Sequence, residues 1–211
     1  MFNPFSVTGA VNDAKKDRSL GKSVVVNVIA GVLILVASVI SLGVAGGVNG
    51  AIVGVITGVV AIVSLLVGEL ILGWVYSLAV DVLGGKGSLY EGFTALTYPT
   101  YVLALGWLVA SVLGLLNLAL LGVGSILAML VGLIFGAIGV ATFFRVTKEL
   151  FSLDYVATLL AVSVLVLALG VASAFAAGSM LPSLGSLLSG GLPGLGGTTG
   201  LPLAGLPLGG A

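Results

Sequence analysis

One carboxylate sits inside a long apolar run. In the stretch VGELILGW, residues 67–74, Glu69 is the single charge between positions 51 and 80. An ionisable group in such a setting either handles a proton or an ion in a wet pocket, or makes a polar contact between helices. Asp81 and Asp154 lie near the ends of apolar runs, where two carboxyls brought together can share a proton as an aspartyl dyad. No GxGD-type motif surrounds either, so helix capping and solvation at an interface explain them better. The loop GGKGS, residues 84–88, invites a phosphate-loop reading around Lys86. That motif requires Gly at position 80 and Ser or Thr at position 87, and Val80 and Gly87 stand there instead. A flexible turn with Lys86 near lipid headgroups is the expectation.

The chain has no Cys and no His. It therefore lacks a disulfide framework, a thiolate nucleophile, the usual proton shuttle and the commonest metal ligand. Zinc peptidase, Ser/His hydrolase and haem-binding chemistries lose their principal residues. No catalytic residue, metal site or cofactor is expected, and the chain reads as a protein that is not an enzyme. Seven basic and seven acidic residues give a net charge of zero, which argues against a nucleic-acid partner.

The elements that position Glu69 follow from the composition. Hydrophobic residues make up 59% of the chain and charged residues 7%, with a mean hydropathy of +1.35, whereas soluble domains carry about 25% charged residues. The surrounding medium is lipid. Crossing a hydrocarbon core of about 30 Å takes roughly 20 apolar residues as a helix. Five runs qualify, at about 24–44, 51–83, 93–116, 118–143 and 155–178. The expected fold class is all-α, a polytopic membrane helix bundle with five transmembrane helices, because lipid forces backbone groups to pair within each segment.

Three regions follow: a leader over 1–22, a membrane domain over 23–179 and a tail over 180–211. The tail is low-complexity Gly/Leu/Pro sequence whose breakers exclude a sixth span, and disorder is expected there. In the leader, Phe2, Phe5, Val7 and Val11 form either the apolar side of a surface helix or a frayed terminus. GGVNG, residues 46–50, reads as the first turn. The second run is longer than one crossing, so it must tilt, break or continue as helix beyond the membrane. Pro99 suggests a helix start or a kink. Asn117 marks a turn, and Ser152 or Asp154 caps the fifth run.

Charge falls on one side of this map. Lys15, Lys16, Arg18 and Lys22 precede the first run, Lys86 follows the second, and Arg145 and Lys148 follow the fourth. By the positive-inside rule these segments and the amino terminus face the cytoplasm, with the carboxyl terminus outside. Asp13, Asp17, Asp81, Glu91, Glu149 and Asp154 share that side, and Glu69 alone does not. Counted along the second run it lies about 21 Å from the cytoplasmic end, too deep for easy snorkelling. Insertion of a charge there costs on the order of 3 kcal/mol, so Glu69 is expected to face other helices.

Small residues recur every fourth position as Gly54 and Gly58, as Gly106, Ala110 and Gly114, as Gly124, Ala128, Gly132 and Gly136, and as Gly170, Ala174 and Gly178. Such stripes let helices approach closely in lipid, mostly within one chain and, as a minority expectation, in a homo-oligomer.

The segment DVLGGKGSLYEGFTALTYPTYV, residues 81–102, resembles the signature of the Yip (Ypt-interacting protein) membrane family: a GGxGS-like loop, an acidic residue and then Tyr-x-Pro. The residues concerned are Asp81, Gly84, Gly85, Lys86, Gly87, Ser88, Glu91, Tyr98 and Pro99, with Tyr98 here directly before Pro99. FGAIGVATFFRVTKELFSLDYVATLLAV, residues 135–162, is similar to the family's closing segment and carries Arg145, Lys148, Glu149 and Asp154. The resemblance implies a five-span bundle with a cytoplasmic amino terminus. For eukaryotic members it implies a role in membrane traffic through Rab-type GTPases, for which the short leader here offers no extended region. A prokaryotic, archaeal-type protein of the plasma membrane is the expectation. It would act as a non-enzymatic scaffold, adaptor or membrane organiser, with the bilayer and a membrane or cytoplasmic protein as partners. The alternative is a small transporter, or an ion or lipid pathway, using Glu69. Orientation is tested with Ser88→Cys and Asn117→Cys: an impermeant thiol reagent applied outside should label position 117 only, and labelling at 88 would overturn the map.

Overall fold

The computed structural model describes residues 7–16, 18–118, 120 and 122–167. Among these residues five α-helices follow in order: α1 (Val7–Lys16), α2 (Leu20–Val82), α3 (Leu89–Gly114), α4 (Val123–Leu150) and α5 (Tyr155–Leu167). A 3-10 turn at Leu115–Leu118 joins α3 to α4, and no strand occurs among the described residues. Residues up to Leu165 pack as one body, and Val166 begins a separate unit whose described part is 166–167. The expectations for Phe2 and Phe5, the end of the fifth run and the tail lie outside the described residues. Helices α2, α3 and α4 are long and apolar enough to cross a membrane, and α5 is a shorter apolar helix. Their outer faces carry Ile56, Val60, Val63, Ile71, Ile126 and Leu133 in the open, which suits lipid and not water.

A straight helix of 63 residues would run about 95 Å, three times the hydrocarbon core. Helix α2 instead turns back at Gly47, whose φ of 60° and ψ of −139° are open to glycine and strained for other residues. Its two arms, 20–46 and 48–82, lie antiparallel. A Cβ on Gly58 would meet the Leu35 Cα at 2.5 Å, and one on Gly54 would meet the Val39 Cα at 2.7 Å. Along a straight helix those pairs would be about 34 and 22 Å apart. The turn expected over 46–50 thus reduces to one non-helical residue, and both flanks stay helical. The second run continues as helix to Val82 without a break, so the second arm is longer than the first.

Local chemistry sets the other helix ends. Ser88 and Glu91 form a capping box at the start of α3: the Ser88 N–H donates to Glu91 Oε2 at 3.0 Å, and the Ser88 hydroxyl also donates to it. Pro99 therefore lies inside α3 and not at its start. The polar segment at 145–150 extends α4 as helix, where the sequence suggested that the span gave way to a loop. Asp154 caps α5 by accepting the Ala157 N–H at 2.7 Å, while Ser152 takes a positive φ of 55° in the preceding turn. At the opposite end Asn117 ties the turn, accepting from the Ser125 N–H at 3.1 Å and donating to its hydroxyl at 2.8 Å.

The main core gathers Tyr76, Val80, Tyr98, Phe143, Val146 and Phe151, and α1 adds Val11 and Ala14 to it. The leader's helix is therefore docked on the bundle. A second, smaller cluster joins Ala30 and Ile34 to Ala104. Gly58→Leu should open the hairpin of α2, at a cost of about 1–3 kcal/mol for overpacking. Thermal unfolding in detergent measures this, with Gly132→Leu, where nothing outside its own stretch of helix lies within 4 Å of a Cβ, expected to be near neutral.

Candidate functional site

Glu69 faces the interior and is 6% exposed. Asn27, on the first arm of α2, donates its Nδ2 to Glu69 Oε2 at 2.8 Å. From α3 the Thr97 hydroxyl reaches the same oxygen at 3.1 Å and the Phe93 carbonyl at 2.9 Å. A hydroxyl has one hydrogen, so Thr97 can donate to only one of these at a time. Glu69 Oε1 and Asn27 Oδ1 have no hydrogen-bond partner among the described residues. One turn toward the helix starts, the buried hydroxyls of Ser23 and Thr94 pair at 2.8 Å.

Glycine makes this cluster reachable. Where the second arm crosses α3, a Cβ on Gly92 would fall 1.9 Å from the Gly73 carbonyl oxygen, so the backbones touch. Glu69 lies one turn from Gly73, which places its side chain between Asn27 and Thr97. Those partners are only seven and eight residues past the starts of α2 and α3, about 10–12 Å along each helix. The carboxyl is thus nearer the charged end of the bundle than the count along its own run suggested, because the second arm extends beyond its neighbours.

The family-like loops form a second constellation at that charged end. Asp81 accepts the Gly87 N–H at 2.8 Å, which folds GGKGS back on the end of α2. The Lys86 N–H donates to the Phe151 carbonyl at 3.2 Å. Gly85 packs against Val80 and Leu153, and Gly87 against the Phe151 ring, so the loop lies directly on the α4–α5 turn. Phe151 in turn stands edge-on to Tyr76, with centroids 5.7 Å apart. Tyr76 donates its hydroxyl to Thr147 at 3.3 Å.

Helix α1 is tied across these loops. Lys15 pairs with Glu149, the Tyr90 hydroxyl donates to the Ala14 carbonyl at 2.8 Å, and Arg18 Nη1 lies 3.9 Å from Glu91. Lys148 sits 5.5 Å over the Tyr155 ring. Tyr98 and Pro99 are buried in α3, Tyr98 as part of the core beneath the loops. Asp154 engages its own helix cap and Asp81 its own loop, so the structure gives each a separate structural task.

Sequence reasoning singled out Glu69 without its partners Asn27 and Thr97. Asn27 was visible as the only carboxamide in the first apolar run, and pairing it with Glu69 required the fold-back. Against known protein families, curated proteins and solved structures, the chain has no match. If Glu69 and Asn27 act as one contact, a double-mutant cycle with Glu69→Gln and Asn27→Leu should give a coupling of about 0.6–1.7 kcal/mol. Additive losses in detergent unfolding would show that the two act separately.

Proposed function

We propose that this chain is a non-enzymatic, five-span membrane protein of Yip type that acts as a scaffold or adaptor through a cytoplasmic platform. The observation that carries this reading is the convergence of segments 81–91 and 145–154, some sixty residues apart in sequence, into one packed surface under α1. The same segments carry the family resemblance and nearly all the charge outside the leader. The five-span reading assigns one crossing to each arm of α2, one each to α3 and α4, and one to the run that starts at α5. The basic residues then lie on the cytoplasmic side of a cell membrane.

Rigid loops suit a docking platform, because little conformational freedom is left to lose on binding. In the bundle, Glu69 serves as a polar contact that fixes the α2 arms against α3. The apolar cluster of Ala30, Ile34 and Ala104 lies beyond it and favours a packed interior over a conduction path. Photo-crosslinkers placed at Lys86 and, separately, at Leu120 test the platform in native membranes. Recurrent trapping of one protein from position 86 and background from position 120 is expected. Equal background at both positions would overturn the adaptor reading.

A further inference from the structure

A groove of about 880 Å³ runs between α4 and α5 toward the charged end of the bundle. Its apolar walls include Gly136, Val140, Leu159 and Val162, and its charged end is formed by Arg145, Lys148 and Glu149 beside Tyr155. Glu149 pairs with Lys15 from α1, and Arg145 and Lys148 also lie close enough to act on its charge. Arg145 is exposed and has no ion-pair partner among the described residues. Lys148 rests on the Tyr155 ring, which holds the ammonium at the mouth without cancelling its charge. The mouth of the groove therefore gathers three cations, Lys15, Arg145 and Lys148, around one carboxylate, which leaves it net positive.

Its dimensions match one leaflet. From Gly136 to Arg145 is nine residues, about 13–14 Å of helix, close to half of a hydrocarbon core of about 30 Å. The cations then stand at headgroup level with an apolar slot below them. Beyond its own stretch of helix, nothing lies within 4 Å of where a Cβ on Gly136 would be, which leaves the slot open to an acyl chain along α4.

We propose that this groove is a binding site for one anionic phospholipid, with Arg145 and Lys148 on the phosphate headgroup and an acyl chain along α4 and α5. A soluble anion would use the cations but not the apolar slot, and a neutral lipid would use the slot but not the cations. Each basic residue near an anionic headgroup is worth about a fivefold change in binding, so the pair is worth about thirtyfold.

The experiment is native mass spectrometry of the full chain, exchanged with phosphatidylglycerol or phosphatidylcholine. Preferential retention of phosphatidylglycerol is expected, with a loss of about thirtyfold in the R145Q/K148Q double variant and no change in K86Q. Since the double variant can fail to fold, E149Q supplies a second arm: removing a carboxylate from the mouth should raise phosphatidylglycerol retention. Equal retention of both lipids, displacement of the lipid by inorganic phosphate, unchanged retention in both altered proteins, or a dimer that excludes lipid from the groove would each overturn the proposal.

Discussion

Backbone contact at glycine sets the spacing of this bundle. In lipid there is no hydrophobic gain from pressing one apolar helix on another, so association depends on dispersion and on a few interhelical hydrogen bonds, both of which require close approach. At Gly54 and Gly58 the two arms of α2 meet with no room for a Cβ, and at Gly73 and Gly92 the second arm meets α3 in the same way. The buried contacts of Glu69 depend on these approaches. Glu69 reaches Asn27 because the arms fold together, and Thr97 because Gly92 lets α3 come in.

The polar groups divide into two sets with different consequences. Within the bundle, Ser23, Thr94, Asn27, Glu69 and Thr97 are buried and bonded across helices, and such contacts fix which faces meet. At the charged end, Asp81, Glu91, Glu149 and Asp154 cap helices, close loops or pair with α1. Among the described carboxylates Glu69, already set apart by its place in the apolar run, is the one bonded between helices inside the bundle. At the same end Arg145 and Lys148 stand beside the α4–α5 groove, and Lys86 is exposed on the GGKGS loop.

Much of this was legible in the sequence for a simple reason. Lipid permits few solutions, so long apolar runs must be helices, and a segment such as 145–154 with Arg, Lys, Glu and Asp must lie at an interface. Cap chemistry was equally local at Asp154 before α5 and at the Asn117 turn, whereas the Ser88–Glu91 capping box carried a local signal that went unread in the sequence. Pro99 was less legible, because the capping box upstream begins α3 ten residues before it and the helix carries through.

The sequence by itself determined that this chain belongs with lipid, that it is helical, where its charge collects and that it lacks the residues for His or Cys chemistry. Those follow from residue types and short spacings, which do not depend on what a segment packs against. Only the tertiary structure decided that α2 doubles back at one glycine, that Glu69 pairs with Asn27 from forty-two residues earlier, and that the GGKGS loop lies on Phe151. These depend on where backbones touch. A glycine in a membrane helix states that contact is permitted, and the partner is chosen by the packing of the whole bundle.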